Sequence, residues 1–318
     1  MSLRMLLEHS IASLSQHLSK ASMKIVLNFT SLYFVSCILF LHNIIEILQE
    51  INMKTLAVLA LCLVAASATP SIDGDDRYPI HAPSGYEDIV TNAIITRNYE
   101  AAASMTVQLK RRSSGRYITI IVNRLIRENK RNLCDLAYKL WDYMDESQEI
   151  VKEYFPVIFR QIFSENSVKI INKRDNLAIK LGDALDSDND RVAYGDANDK
   201  TSDNVGWKLI PLWDDNRVYF KIFSVHRNQY LKLGTRIDVD NDHGVYGDDR
   251  ADTHRHQWYL KPVELENQVL FYIYNRQYDQ ALKLGRNVDS DGDRRAYSSS
   301  SSVEGQPELY AWSISILN

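Results

Sequence analysis

Cysteine is scarce in this chain, with three among 318 residues. Two of them, Cys37 and Cys62, lie in apolar stretches near the start, which leaves Cys134 without a partner in the remainder. That excludes a disulfide framework, so the folded part must hold together by core packing. Proline is absent from Ser84 to Phe155, so no ring interrupts helical periodicity there. An excess of positive charge is also missing. The formal net charge is -4, whereas contact with nucleic-acid phosphates calls for clustered Lys and Arg in surplus. The chain contains no P-loop, GxGxxG, GxSxG or HExxH motif. Cys134 has no histidine near it in sequence and sits in an apolar helical pattern, which reads as packing rather than as a nucleophile. His254-Arg255-His256 beside Asp252 reads as a polar loop rather than a metal site. The expectation is a protein that is no enzyme, with no cofactor and no metal.

Long apolar runs are confined to the front. Met53-Lys54 opens a basic start, Leu56 to Ala65 is an apolar run, and Ala66-Ser67-Ala68 supplies small residues before Thr69-Pro70. That pattern is a secretory signal peptide over 53–68. The run is too short to cross about 30 Å of hydrocarbon. A second apolar stretch, from Ile25 to Leu48, follows Met23-Lys24 and alone would pass as a signal anchor. A protein rarely needs two export signals in tandem, so residues 1–52 are read as an extraneous N-terminal extension, the rival being a membrane anchor. Residues 69–85, rich in Pro, Asp and Gly, are expected to form a flexible tail.

Helical periodicity covers 86–165. Tyr86, Ile89, Val90, Ala93 and Ile94 fall on one face, as do Ile118, Val122, Leu125 and Ile126, and then Leu133, Leu136, Ala137, Leu140 and Trp141. Asn132 is placed to cap the last of these helices, with Asp135 in its first turn. The stripes predict a small helical bundle. Its basic cluster around Lys110, Arg111, Arg112 and Arg124 reads as a solvated face. Val122, Ile126, Leu140 and Trp141 are candidates to line an apolar cleft for a lipid or fatty acid, between helices or at a seam between domains.

From 166 to 318 the chain repeats itself three times. Leu181-Gly182, Leu233-Gly234 and Leu284-Gly285 each precede an Asp-x-Asp-x-Asp turn and then a Tyr, and Trp207, Trp258 and Trp312 follow. The glycines are 52 and 51 residues apart. Each copy holds about four short strand-like runs. Propellers need about four blades or more to close, whereas three four-stranded units close as a β-trefoil. The fold class expected is therefore α+β and multidomain, an all-α bundle followed by a β-trefoil. The acidic turns resemble the start of an EF-hand loop, but Arg191, His243 and Arg294 stand where that loop needs Gly. Asx-rich hairpin turns are the expectation. Carbohydrate or cation binding at Asp186, Asp188, Asp238, Asp240, Asp289 and Asp291 is the alternative, weakened for sugars because the Gln-x-Trp of ricin-type lectins is absent.

Tyr138-Lys139-Leu140-Trp141, Gln148 to Pro156, Asn176 to Gly182, Arg191 to Asp196, Asn216 to Ile222 and Ile273 to Gln277 together resemble the low-molecular-weight 30 kDa lipoproteins of insect haemolymph, the microvitellogenin-like group. The resemblance runs from about Met53 to Asn318. It implies a helical domain of the VHS type before the trefoil, and secretion into haemolymph. It further implies storage and lipid carriage with uptake as a yolk or nutrient protein. Glucan recognition by the trefoil in innate immunity is the alternative that it leaves open. The implied partners are lipid or fatty acid, or carbohydrate, with no nucleic acid and no stable membrane insertion once the signal is removed. Insect cells expressing the full frame are expected to secrete a product whose N-terminal sequencing begins at Thr69. A membrane-retained product that keeps residues 1–52 would overturn this reading of the front end.

Overall fold

The computed structural model describes residues 85–112, 115–143 and 145–317. The extension, the signal segment and the tail up to Ser84 lie outside the described residues. Among the described residues six helices come first: α1 (Tyr86–Ile95), α2 (Tyr99–Arg111), α3 (Gly115–Arg127), α4 (Asn132–Tyr143), α5 (Asp145–Tyr154) and α6 (Val157–Phe163). Strands follow: β1 (Val168–Asn172), β2 (Ala178–Leu185), β3 (Arg191–Asp196), β4 (Trp207–Asp214), β5 (Arg217–Ser224) and β6 (Gln229–Ile237). The chain continues through β7 (His243–Asp248), β8 (Trp258–Leu265), β9 (Gln268–Asn275), β10 (Ala281–Val288) and β11 (Arg294–Ser299). It closes with a short helix α7 (Pro307–Tyr310) and β12 (Ala311–Ile316).

Pairing is antiparallel throughout. β1 pairs with β4, β4 with β5, β5 with β8, β8 with β9, β9 with β12 and β12 with β1, which closes a six-stranded ring. The hairpins β2–β3, β6–β7 and β10–β11 cap one end of it. They meet one another through β3–β7, β3–β11 and β7–β11. Six barrel strands plus three mutually touching hairpins is the pairing diagram of a β-trefoil, and closure removes the open edges a sheet would otherwise expose.

The three-part symmetry is fixed from inside. Trp207, Trp258 and Trp312 are fully buried. Their indole N–H groups donate to the carbonyls of Ile179, Leu231 and Leu282 at 2.8, 2.9 and 3.0 Å. Each tryptophan thus adds a large apolar area to the core while its one donor stays satisfied. The β4–β5 turn (Asp215-Asn216) and the β8–β9 turn (Glu266-Asn267) place both residues at positive φ, the two-residue geometry that matches the twist of a hairpin.

The helices follow their stripes, with one departure. Val90, Ala93 and Ile94 of α1 are buried, but Ile89 points outward at 36% exposure. In α3 the stripe is wider than expected, because Ile121 joins Ile118, Val122, Leu125 and Ile126 in the interior. Pro156 separates α5 from α6: it lacks the N–H needed to continue α5 and stands as the N-cap of the next helix.

Helices and barrel belong to one compact unit, and a buried carboxylate joins them. Asp135 on α4 is in the first turn as expected, yet its side chain reaches away from its own helix. Oδ1 accepts from the backbone N–H of Val218 on β5 at 2.8 Å, and Oδ2 accepts from the Tyr99 hydroxyl at 2.8 Å. Arg217 lies 3.5 Å from the same carboxylate. Burial pushes this carboxyl up from its usual range, against the opposing effect of those donors. Asn132 makes no cap either; its amide donates to the Ile94 carbonyl and the Tyr99 hydroxyl. Around this contact Arg131 lies over the Tyr259 ring at 3.9 Å, Tyr138 stacks on Trp213, and Phe159 meets Phe271 edge-on. Asp135→Ala strands a buried N–H and a buried hydroxyl. It is expected to lower the unfolding free energy by about 3 kcal/mol in urea titrations. Asp135→Asn, which keeps one acceptor, is expected to cost about 1 kcal/mol.

Candidate functional site

Each acidic turn divides its three aspartates among three tasks. The first is a backbone cap: Oδ1 of Asp186 accepts from the N–H of Asp188 and of Asp190, both at 2.9 Å. Asp238 and Asp289 do the same in their own copies. The residue before the last Asp takes positive φ (Asn189, Asn241 and Gly292), the left-handed step that such a turn needs. The middle ones, Asp188, Asp240 and Asp291, are exposed. The last ones, Asp190, Asp242 and Asp293, are buried.

Those buried carboxylates meet lysines from a neighbouring copy. Lys232 on β6 lies 2.6 Å from Asp190, Lys283 on β10 lies 2.5 Å from Asp242, and Lys180 on β2 lies 2.7 Å from Asp293. The pairs run cyclically around the cap. Lys180 and Lys232 each hold a second carboxylate, Asp196 at 2.8 Å and Asp248 at 2.6 Å. Burial works against the charge on these two lysines, but two carboxylates apiece raise their pKa above the ordinary value. Asp248, though partly buried, is held well below the usual carboxylate range by Lys232 and by the N–H of Arg250. At Asp190 burial outweighs the lysine, and its carboxyl is raised.

Asp186, Asp188 and Asp190 bring one oxygen each within 4.8 Å of one another, a spacing that suits a hard cation. The third of these carboxylates is also bound to Lys232. Asp186, Asp238 and Asp289, read from sequence as sugar or cation ligands, thus spend one oxygen on their own backbone. Asp188, Asp240 and Asp291 keep free surface positions.

The residues expected to line an apolar cleft are separated by the structure. Val122, Ile126 and Leu140 are fully enclosed in the helical core. Trp141 alone of the four opens onto a cleft of about 400 Å³ between the helices and β12, shared with Val157, Ile316, Lys152 and Arg160. Val157 is 54% and Ile316 38% exposed there. Sequence reasoning missed both, since Val157 merely starts α6 after Pro156 and Ile316 is the last residue of an ordinary alternating strand. A larger, more polar pocket of about 580 Å³ lies on the trefoil between the acidic turn of the second copy and the β10–β11 hairpin.

The model of the Lepidopteran low molecular weight (30 kD) lipoprotein family matches residues 84–316, helices and trefoil together. The chain belongs to that family. It is 47% identical to a Manduca sexta protein named Microvitellogenin over 82% of this chain and 98% of the relative. Bombyx mori low molecular mass lipoprotein 3 is 44% identical over 81% and 98%. These lipoprotein relatives carry no enzyme name. A solved structure titled BEL beta-trefoil aligns with 48% of this chain and 94% of its own at a TM-score of 0.35 and 13% identity; the trefoil assignment rests on the strand pairing. Among the described residues no helix is long and apolar enough to cross a membrane.

The division of labour in the acidic turns is directly measurable. Asp186→Ala frees two turn N–H groups and is expected to cost about 1 kcal/mol. Asp188→Ala, one residue pair along, is expected to stay within about 0.5 kcal/mol of wild type. Thermal melts of the two variants side by side check the contrast.

Proposed function

We propose that this family member is a secreted haemolymph storage and lipid-carrier protein, taken up as a yolk or nutrient protein. The observation that carries the lipid reading is the open cleft beside Trp141, where apolar side chains stay exposed at a helix–barrel seam that is otherwise closed by aromatic packing. Concave, partly apolar sites of this size are where small ligands bind. Each CH₂ buried contributes about 0.8 kcal/mol, so a modest groove suffices for a single acyl chain. Arg160 in its lining suits a carboxylate head group, and Lys152, paired with Glu149 at 2.7 Å, lies beside it. The names of the relatives, lipoproteins and a microvitellogenin, agree with this reading. We further propose that α1 to α6 form a bundle of the VHS type.

Glucan recognition at Asp186, Asp188, Asp238, Asp240, Asp289 and Asp291 has less support. Half of these carboxylates already cap their own turns. Delipidated protein is expected to take up a fluorescent fatty acid saturably. Val157→Asp, at a half-exposed position that leaves the core alone, is expected to weaken that uptake at least tenfold without shifting the melting temperature. Uptake that never saturates, or that ignores Val157→Asp, would remove the carrier role and leave storage.

A further inference from the structure

The trefoil is nearly symmetric in backbone, and three departures from that symmetry in charge fall on the β10–β11 hairpin. Gly195-Asp196 and Gly247-Asp248 end β3 and β7, but β11 ends in Ser298-Ser299. The carboxylates of Asp196 and Asp248 are the second partners of Lys180 and Lys232. Ser299 stands at the equivalent place and accepts only from the N–H of Ser301, so Lys283 keeps Asp242 as its single carboxylate. Two further positions drift the same way. Arg295 occupies the place of Val192 and Gly244, and Arg286 that of Asp183 and Thr235.

Two of these differences, Arg286 and Arg295, line the 580 Å³ pocket, together with Lys283, the lysine that lacks a second carboxylate. Among the described residues Arg286 and Arg295 have no carboxylate within ion-pair distance. The Nε of Arg295 is buried without a hydrogen-bond partner, although its Nη2 donates to the Tyr246 hydroxyl at 2.7 Å. The pocket also has carboxylates, all on one lip. Asp238 is turned onto its own backbone, Asp242 is bound to Lys283, and Asp240 is exposed. Ser301, Ser302 and Gln306 also line it.

We propose that this pocket is a binding site for a small organic oxyanion, a carboxylate or phosphate carried on a hydroxyl-rich body. The anion meets Lys283 from the pocket and plays the part that Asp196 and Asp248 play for their lysines, with Arg295 as its second donor. The physical reason is that a half-buried ammonium with one carboxylate instead of two retains donor capacity, and an oxyanion satisfies it with charge-assisted hydrogen bonds. The bound molecule completes the threefold belt, and the site exists in the third copy alone because the other two belts are already closed. This reading is independent of lipid carriage, which concerns a different cleft.

The test is calorimetric titration of the full secreted protein with glucuronate, glucose 6-phosphate, glucose and inorganic phosphate. Saturable binding of glucuronate or glucose 6-phosphate is expected, at least tenfold tighter than that of glucose or of inorganic phosphate. Ser299→Asp supplies the missing carboxylate in a setting the protein already builds twice, so it is expected to keep or raise the melting temperature and to weaken binding at least tenfold. Arg286→Glu, an exposed change at the rim, is expected to weaken binding severalfold and serves if Ser299→Asp does not fold. No saturation with either anionic sugar, equal binding of glucose, or equal binding of inorganic phosphate would overturn the proposal. So would affinity unchanged by Ser299→Asp, or by Arg286→Glu where that variant stands in.

Discussion

A lysine in the middle of each capping hairpin has to be charged and largely out of water at once, and the trefoil is arranged around that demand. An ammonium in such a position is tolerated only with carboxylates in contact. One of them comes in every case from the acidic turn of an adjacent copy, so Lys180, Lys232 and Lys283 tie each copy to another. The turn therefore needs its last Asp to face inward, and its geometry follows. The first Asp caps the backbone, the fourth residue goes left-handed, and the fifth swings its carboxylate under the neighbouring hairpin. Three tryptophans perform the apolar part of the same closure from below, each bonded to a strand of its own copy. Hydrophobic closure and ionic closure share one threefold axis.

A second buried charge answers a different problem. A closed barrel offers few free backbone groups to a helical partner, but Val218 leaves its N–H available on the flank of β5. Asp135 uses it, and with Tyr99, Asn132 and Arg217 forms a small polar cluster inside an otherwise aromatic contact. Aromatic pairs such as Tyr138 with Trp213 and Phe159 with Phe271 pack helices against barrel, whereas the carboxylate fixes how the surfaces register. The two halves are consequently not beads on a linker. The cleft beside Trp141 is a gap in this shared surface.

The trefoil was legible in sequence because period, strand count and the recurring tryptophan are all local or periodic properties. So were the helical stripes, apart from Ile89. What sequence could not reveal is where a polar side chain spends its hydrogen bonds. Asp135 reads as a helix-start residue and is one by position, yet it accepts from Tyr99 on another helix and from Val218 on a strand more than eighty residues later. The Asp-x-Asp-x-Asp pattern reads as ligand chemistry, because alternation brings carboxylates together. Knowing that the last Asp faces a lysine requires knowing which copies adjoin. The stripe that makes Val122, Ile126 and Leu140 candidates for a cleft is the one that makes them core, since periodicity identifies an apolar face without saying what covers it.

Internal symmetry offers a way past that limit. Where three copies of one unit share a backbone, each copy is a control for the other two, and a residue that differs is freed from the structural duty its counterparts carry. Asp196 and Asp248 are committed to lysines, so their carboxylates are unavailable to anything else. Ser298 and Ser299 break that commitment, at the expense of a buried hydroxyl on Ser298 that finds no partner. The neighbouring Arg295 adds a buried, unpaired Nε to the same hairpin. Unsatisfied polar atoms in an interior cost stability, and a fold that gives two of its three belt lysines a second carboxylate has no structural need to withhold one from the third. The open position is better accounted for by a charge brought from outside the chain than by any demand of the fold.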